Sequence, residues 1–335
     1  MSIVVLRPQL GVPFKKFSAA RTNDENDLPP IRQHWANFYR RLINFLDSWG
    51  LEYDIVCKPL WRFTEAYINA LDADLVFIPH KNAKQYCNLN KPSLFIMQSV
   101  FPHLFTIDRS GWGATSSEYP FSHTFGNMER AEKTWQEYRQ RITRNISKFE
   151  QPNEVALDLP ERYALYLCQL PHDETIRFHS DVTVEEALQC TLEACAATGI
   201  FVVVKGHPIN RESMQPLKRI AHPFVQRGKA RYVDDASVHQ LIRGASAVIT
   251  VNSGAGFESL LHEKPVYTFG RSEYQCATWP VTPKSIFGVS FEEGFRPEEA
   301  KMILDAFVHH YAVDSAGFGD VASRRLAKLI QLSKA

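Results

Sequence analysis

Between residues 163 and 269, five short and almost wholly apolar runs alternate with stretches of helix length. The runs are YALYLCQ (163–169), GIFVVVK (199–205), ARYVD (230–234), AVITV (247–251) and PVYTF (265–269). A strand with one face in water alternates apolar with polar residues, whereas a run that is apolar throughout is buried on both faces. That is the condition of a parallel sheet covered by helices. The intervening segments read as helices at 183–198, near 211–222, at 237–244 and at 255–263, the first opened by a Thr183/Glu186 capping-box pattern.

The first half repeats the alternation less regularly. IVVL (3–6), YDIVC (53–57), ADLVFIP (73–79) and SLFIMQ (93–98) are strand-like, and IRQHWANFYRRLINFLDSWG (31–50) sets Trp35, Phe38, Leu42, Phe45 and Leu46 on one helical face, with Gly50 as its stop. NDENDLPP (23–30) and 99–120 read as loops, 128–150 as a charged helix, and QPNEVALDLPER (151–162) as a linker. The order predicts two Rossmann-like, doubly wound α/β domains facing a central cleft, at 1–155 and 156–320, with a helical segment 321–335 crossing back to the first.

A chain of 335 residues has room for two domains of about 150 residues each. A hydrophobic fraction of 44%, a charged fraction of 22% and a net charge of +1 describe a globular protein and argue against a general nucleic-acid binder. No apolar segment approaches the roughly 20 residues that span a bilayer, and MSIVVLRPQLG is too short in its apolar part for a secretory signal, so the expected location is the cytoplasm. Basic residues of 128–150 (Arg130, Lys133, Arg139, Arg141, Arg144, Lys148) leave peripheral contact with the inner face of an anionic inner membrane open, while interspersed glutamates favour a solvated face. Six scattered cysteines lack ligand spacing and read as buried free thiols.

In parallel sheets, ligands bind beyond the carboxyl ends of the strands. In the second half those ends carry Gln169 and then Asp173, His179 and Ser180; Lys205, His207 and Pro208 in KGHP; DDASVHQL (234–241), with Ser237 as a helix cap and His239 beside it; and Asn252, Ser253 and Gly254 in NSGAG. Small residues before a helix admit a phosphate to the backbone N–H groups, so NSGAG is either an ordinary cap or a phosphate cradle. A lysine can neutralise the phosphate, and a histidine can donate to a phosphate oxygen or a leaving group.

These residues carry a resemblance. YLCQLPHDETI, VVVKGHPIN and YVDDASVHQLIRGASAVITVNSGAGFESLLHEKPVYTFGRSEY, running from Tyr163 to Tyr274, resemble the bacterial capsule polysaccharide biosynthesis proteins, a family that includes Kdo transferases. The resemblance implies a GT-B glycosyltransferase acting in capsule or lipopolysaccharide biosynthesis. Its C-terminal domain would bind a nucleotide-sugar donor, CMP-Kdo or similar, and its N-terminal domain a saccharide or glycolipid acceptor.

Carried over, Lys205, His207 and Pro208 would contact donor phosphate and cytidine. Asn252, Ser253 and Gly254 would hold phosphate, Glu258 would accept from ribose hydroxyls, and Gln169 and Asp173 match the family's glutamine and aspartate. Asp173 is then the candidate nucleophile of a retaining reaction. From the loop after 93–98, Asp108 is the candidate acid/base, with Glu118 as alternative, and Arg109 is a candidate for binding a carboxylate.

Departures from the family pattern are Gly254, where a second hydroxyl residue is usual, and QCATWPVT after Tyr274. No DxD motif follows a strand, since Asp72 and Asp74 precede one, so no metal or other cofactor is expected. A polyol-phosphate transferase, a sugar-nucleotide 2-epimerase and an idle scaffold in a polysaccharide assembly complex remain open readings.

Overall fold

The computed structural model describes residues 1–10, 28–208, 211–291 and 293–333. Residues 23–27 of the first expected loop, Ile209 and Asn210 of VVVKGHPIN, and 334–335 of the terminal segment lie outside them. Two compact units are formed, one by Met1–Tyr119 with Phe307–Ala335 and one by Pro120–Ala306.

The first unit contains β1 (Ile3–Pro8), α1 (Pro30–Ser48), β2 (Tyr53–Lys58), α2 (Glu65–Asn69), β3 (Leu75–Pro79), β4 (Ser93–Gln98) and β5 (Leu104–Asp108). The elements of the second, taken up below, are α3 (Met128–Thr143), β6 (Ala164–Leu167), α4 (Glu174–His179), α5 (Val184–Thr198), β7 (Val202–Lys205), α6 (Gln215–Gln226), β8 (Ala230–Val233), α7 (Val238–Gly244), β9 (Ala247–Thr250), α8 (Gly254–Leu261), β10 (Val266–Thr268), β11 (Trp279–Pro280) and α9 (Pro297–Ala306). The chain then returns to the first unit with β12 (Ala312–Asp314) and α10 (Asp320–Leu332).

The first sheet has the order β12-β5-β4-β3-β1-β2. Successive side chains of a strand point to opposite faces. Accordingly Ile3, Val5, Leu75 and Phe77 pack with Trp35, Phe38 and Leu42 of α1 and Leu326 and Ile330 of α10, whereas Val4, Leu6, Val76 and Ile78 pack with Phe63 and Ile68. The terminal helix is therefore a core element of this unit. The sheet is mixed rather than parallel throughout: β5 runs antiparallel to β4, and β12 antiparallel to β5. The loop expected over 99–120 thus hides a strand, reached by a tight turn in which the Ser99 N–H donates to the Leu104 carbonyl at 2.9 Å.

The second unit holds a wholly parallel sheet of order β11-β10-β9-β6-β7-β8. Read outward from β6, one half winds to β7 and β8 and the other to β9, β10 and β11. That is Rossmann order, with its reversal between β6 and β9. Of the capping box expected at α5 the Thr183 half is present, Thr183 accepting from the Glu186 N–H at 3.1 Å.

The boundary expected at 155 falls elsewhere, because α3 belongs to the second unit. Buried Asp305 accepts from Arg130 Nε and Nη2 at 2.9 and 2.8 Å, from the Asn127 N–H at 2.7 Å and from Thr134 Oγ1 at 3.0 Å. Nor does α3 reach residue 150. Asn145 adopts a left-handed φ of 57°, and the Ile146 N–H folds back to the Arg141 carbonyl at 3.0 Å, ending the helix. Lys148 is consequently not on the charged helical face, and Arg130 and Arg139 on that helix are paired with Asp305 and Glu263. Among the described residues no helix is long and apolar enough to cross a membrane.

Candidate functional site

The strand order reverses between β6 and β9, the point at whose carboxyl end such sheets form a binding crevice, and two amides brace that edge. Gln169 Nε2 donates to Asn252 Oδ1 at 2.8 Å, and the Asn252 N–H donates to Gln169 Oε1 at 2.9 Å. Asn252 Nδ2 donates to the Thr175 carbonyl at 3.0 Å, tying in the start of α4. Both residues are nearly inaccessible, at 6% exposure each. Their side chains are consumed in joining β6, β9 and α4, which gives Asn252 a bracing role in place of the phosphate grip expected for it. Gly270 leaves room for this joint: a Cβ there would lie 2.9 Å from Asn252 Nδ2.

Asp173 caps α4 beside that brace. Its Oδ1 accepts from both the N–H and the hydroxyl of Thr175 at 2.9 Å, and the side chain is half-buried. Ser253 caps α8, accepting from the Ala255 N–H at 3.2 Å, while its own N–H turns to Thr250 Oγ1 at 3.3 Å. The Tyr274 hydroxyl donates to the Ser253 carbonyl and stands where a Cβ at Gly256 would have to go. Gly254 is the first residue of α8, so NSGAG does open a helix at the crevice, with its serine engaged as a cap.

The segment after α3 passes over this edge as a strap. Ser237, the cap of α7, donates to Asn145 Oδ1 at 2.6 Å; the Ile146 carbonyl lies 3.3 Å from His239 Nε2; and the Val238 N–H donates to Gln151 Oε1 at 2.9 Å. Between these ties Ser147 donates to Glu258 Oε1 at 2.6 Å, and Phe149 meets the His207 ring edge-on at 5.7 Å. Glu258 is 4% exposed, and burial pushes its carboxyl up to about 7, against the Ser147 hydrogen bond and the charges of Lys148 and Arg141. Burial likewise raises Glu273. Half-buried Lys148 is lowered by burial, and the opposing charges are the carboxylates of Asp173, Glu273 and Glu258.

Ser147, Lys148 and Glu273 were not expected at the site from the sequence. The available signal was TRNISKF, in which an asparagine followed by Ile-Ser marks a helix stop well before residue 150.

Lys205 ends β7 at 6% exposure, with its ammonium donating to the carbonyls of Gly206 and Asp234 at 2.9 Å each. Burial lowers its pKa, opposed by Asp234. Its ammonium is thus already engaged toward β8. Gly206 has no room for a side chain, since a Cβ would meet Tyr232 and Asp234. Pro208 is exposed and His207 half-buried. His239 and His262 form a buried pair, Nδ1 to Nε2 at 3.1 Å, in which burial pushes the imidazoles down to about 4 and about 3. His179 is buried at the end of α4, and Ser180 is turned to the Val182 carbonyl at 2.7 Å.

In the first unit Asp108 does not have the form of a proton-transfer group. It is 1% exposed, and Oδ1 accepts from the N–H groups of Ser110, Gly111 and Ser117 at 2.7, 3.0 and 2.9 Å. Oδ2 accepts from the hydroxyls of Ser116 and Ser117 at 3.0 and 2.6 Å. Five donors on one buried carboxylate make it the anchor of the 109–117 loop. Glu118 faces Arg325 at 3.6 Å, and Arg109 is exposed. Among the described residues no group of three or more His, Cys, Asp or Glu side chains is arranged to hold a metal ion. All six cysteines are free, though Cys57 and Cys87 are exposed rather than buried.

Two α/β units in one chain, one of them Rossmann-ordered, are the make-up of the GT-B class, and comparison with solved structures agrees. The β-Kdo 2,7 transferase of Thermosulfurimonas dismutans KpsC superposes with a TM-score of 0.52 at 16% identity, covering 88% of this chain and 96% of that one. The β-Kdo 2,4 transferase of the same protein gives 0.51 at 17% identity, over 89% and 96%. Identities so low speak for the fold alone.

The sequence places the chain more narrowly. The family described as capsule polysaccharide biosynthesis protein matches residues 114–309, well over half of the chain, and the chain belongs to that family. Over 125 residues it is 32% identical to the capsule polysaccharide export protein KpsS of Escherichia coli, a match covering 35% of this chain and 32% of that protein. It is 29% identical over 115 residues to the capsule polysaccharide modification protein LipB of Neisseria meningitidis, covering 32% and 27%. These matches span about a third or less of the curated relatives' length.

Proposed function

We propose that the chain is a retaining glycosyltransferase that moves Kdo or a related acidic sugar from a CMP-activated donor to a saccharide or lipid-linked saccharide. The observation that carries this reading is Asp173, half-buried at the carboxyl edge where the Rossmann sheet reverses, with both of its hydrogen bonds on Oδ1. Oδ2 would form a bond to the anomeric carbon as the bond from that carbon to the CMP phosphate breaks and CMP leaves with the electron pair. The acceptor hydroxyl, giving up its proton, would then displace the Asp173 carboxylate, and the two inversions amount to retention.

The remaining residues would hold the donor. The start of α8 with the Ser253 hydroxyl suits the phosphate, and His207 donates to a phosphate oxygen. Glu258 would accept from the ribose hydroxyls once Ser147 yields its place. Lys205 would act from behind, holding KGHP against β8 and adding positive potential. Charge on the departing CMP would be met by these groups without a metal ion.

The test is incubation with CMP-Kdo, CMP-sialic acid and UDP-sugars, with and without saccharide acceptor. Acceptor-dependent release of CMP from CMP-Kdo is the expected result. Conversion of a UDP-sugar without acceptor would replace the proposal with an epimerase. No thermal shift with any of these nucleotides would replace it with a scaffold, since a ligand of the folded state must raise apparent stability.

A further inference from the structure

We infer that Lys148 is the residue that recognises a carboxylate on the anomeric carbon of the donor sugar. The inference rests on the reading of Asp173 as nucleophile and adds a residue and a recognition chemistry to it.

Two features of the strap lead there. First, it is pinned on both sides of Lys148: Ser147 to Glu258 at 2.6 Å on α8, and Phe149 against His207 at 5.7 Å after β7. Further ties at Asn145, Ile146 and Gln151 fix its course over α7. A lysine on a loose loop sweeps a wide volume, whereas one held at both neighbours has its ammonium delivered to one place.

Second, both pins stand at the carboxyl edge of the sheet, on α8 after β9 and in KGHP after β7. The charges acting on Lys148 are the carboxylates of Asp173, from the cap of α4, Glu273, from the turn after β10, and Glu258, from α8. Arg141 acts on Glu258 from the end of α3. Three acids around one ammonium would make a poor surface for an anionic donor if all three were ionised. Burial pushes Glu258 up to about 7 and raises Glu273 as well, which favours the neutral form of both carboxyls.

The geometry of the substrate class completes the argument. In a sugar acid whose anomeric carbon bears the carboxylate, that group is one bond from the atom Asp173 attacks. A cation held at the same sheet edge as Asp173 would meet the substrate carboxylate there, and two anions brought together at the reacting carbon need it. A neutral sugar offers Lys148 only hydroxyl oxygens and no opposite charge. The ammonium would exchange the acids of the resting cluster for the substrate carboxylate.

The experiment compares CMP with CMP-Kdo on wild type, Lys148→Met and Lys148→Arg by calorimetry, with the donor freshly made. CMP lacks the sugar, so it reports an intact nucleotide site and a folded variant. The expected result is that Lys148→Met binds CMP within about two-fold of wild type but loses ten-fold or more toward CMP-Kdo, with Lys148→Arg recovering most of the loss. Equal affinity of wild type and Lys148→Met for CMP-Kdo overturns the inference alone. So does a loss of equal size toward both ligands, which would make Lys148 a structural or phosphate-binding residue. Failure of wild type to bind CMP at all overturns the donor reading, and this inference with it.

Discussion

Asp108 ends β5 of the first sheet and Asp173 lies beyond β6 of the second, and both read from the chain as loop carboxylates after a strand. The structure separates them. Asp108 is sealed from solvent under five hydrogen bonds that fill both oxygens, whereas Asp173 is half-buried and takes its two hydrogen bonds on Oδ1. A strand end therefore does not by itself leave a carboxylate open to a ligand. A carboxylate whose lone pairs are all committed to its own loop has none left for a substrate.

The largest expected effect follows from that contrast. Asp173→Asn keeps a side chain able to cap α4 but removes the nucleophile, so turnover should fall on the order of a thousand-fold or more with stability nearly unchanged. If Asp173→Asn retained a tenth of wild-type activity, the contrast would be broken from the Asp173 side. Asp108→Ala should do the reverse. Stranding the donors of the 109–117 loop should cost about 3 kcal/mol or more in urea unfolding, while turnover per folded molecule stays close to wild type. Loss of turnover without loss of stability would return a chemical role to Asp108.

A smaller effect concerns pH. His239 and His262 are held neutral by burial, with pKa values of about 4 and about 3 against about 6.5 when unfolded. Between pH 6.5 and 4 the unfolded chain therefore binds protons that the folded chain refuses, and stability falls as pH falls. Glu258, raised to about 7, works the other way, since below pH 7 the folded state takes up a proton before the unfolded state does. Denaturation midpoints from pH 7.5 to 4.5 should therefore fall less steeply in His262→Gln and more steeply in Glu258→Gln than in wild type. Parallel curves would show that neither group is shifted. The smallest expected effect is that of chelation: treatment with EDTA should leave turnover within about two-fold, because charge on the leaving group is assigned to α8 and its neighbours. Abolition restored by a divalent ion would overturn that assignment.

The second sheet was legible because its strands are short, apolar throughout and separated by capped helices. Short apolar runs set between helices are the pattern of strands buried on both faces of a parallel sheet. β5 was missed because Pro102, His103 and the glycines near residue 111 mask a short strand in a segment that reads as a loop. The end of α3 was missed because charged residues continue past it at near-helical spacing, and only the left-handed Asn145 breaks the pattern. Strand-end positions of Gln169, Asp173, Lys205 and Asn252, and the helical position of Glu258, could be read from the chain. Which of their atoms were already engaged could not, because the partners are distant in sequence: Gln169 with Asn252, Ser147 with Glu258, Lys205 with the Asp234 carbonyl. The strap was invisible for the same reason, as every tie it makes to α7 and α8 crosses about 90 residues or more.

The central claim is that Asp173 carries the sugar between two displacements. Intact-protein mass spectrometry of enzyme mixed with CMP-Kdo in the absence of acceptor, quenched in acid, tests it most directly. The account predicts a species heavier than the free chain by one Kdo residue, mapped by peptide analysis to Asp173, discharged on adding acceptor and absent in Asp173→Asn. Turnover with no adduct at any quench time, together with an active Asp173→Asn enzyme, would contradict it.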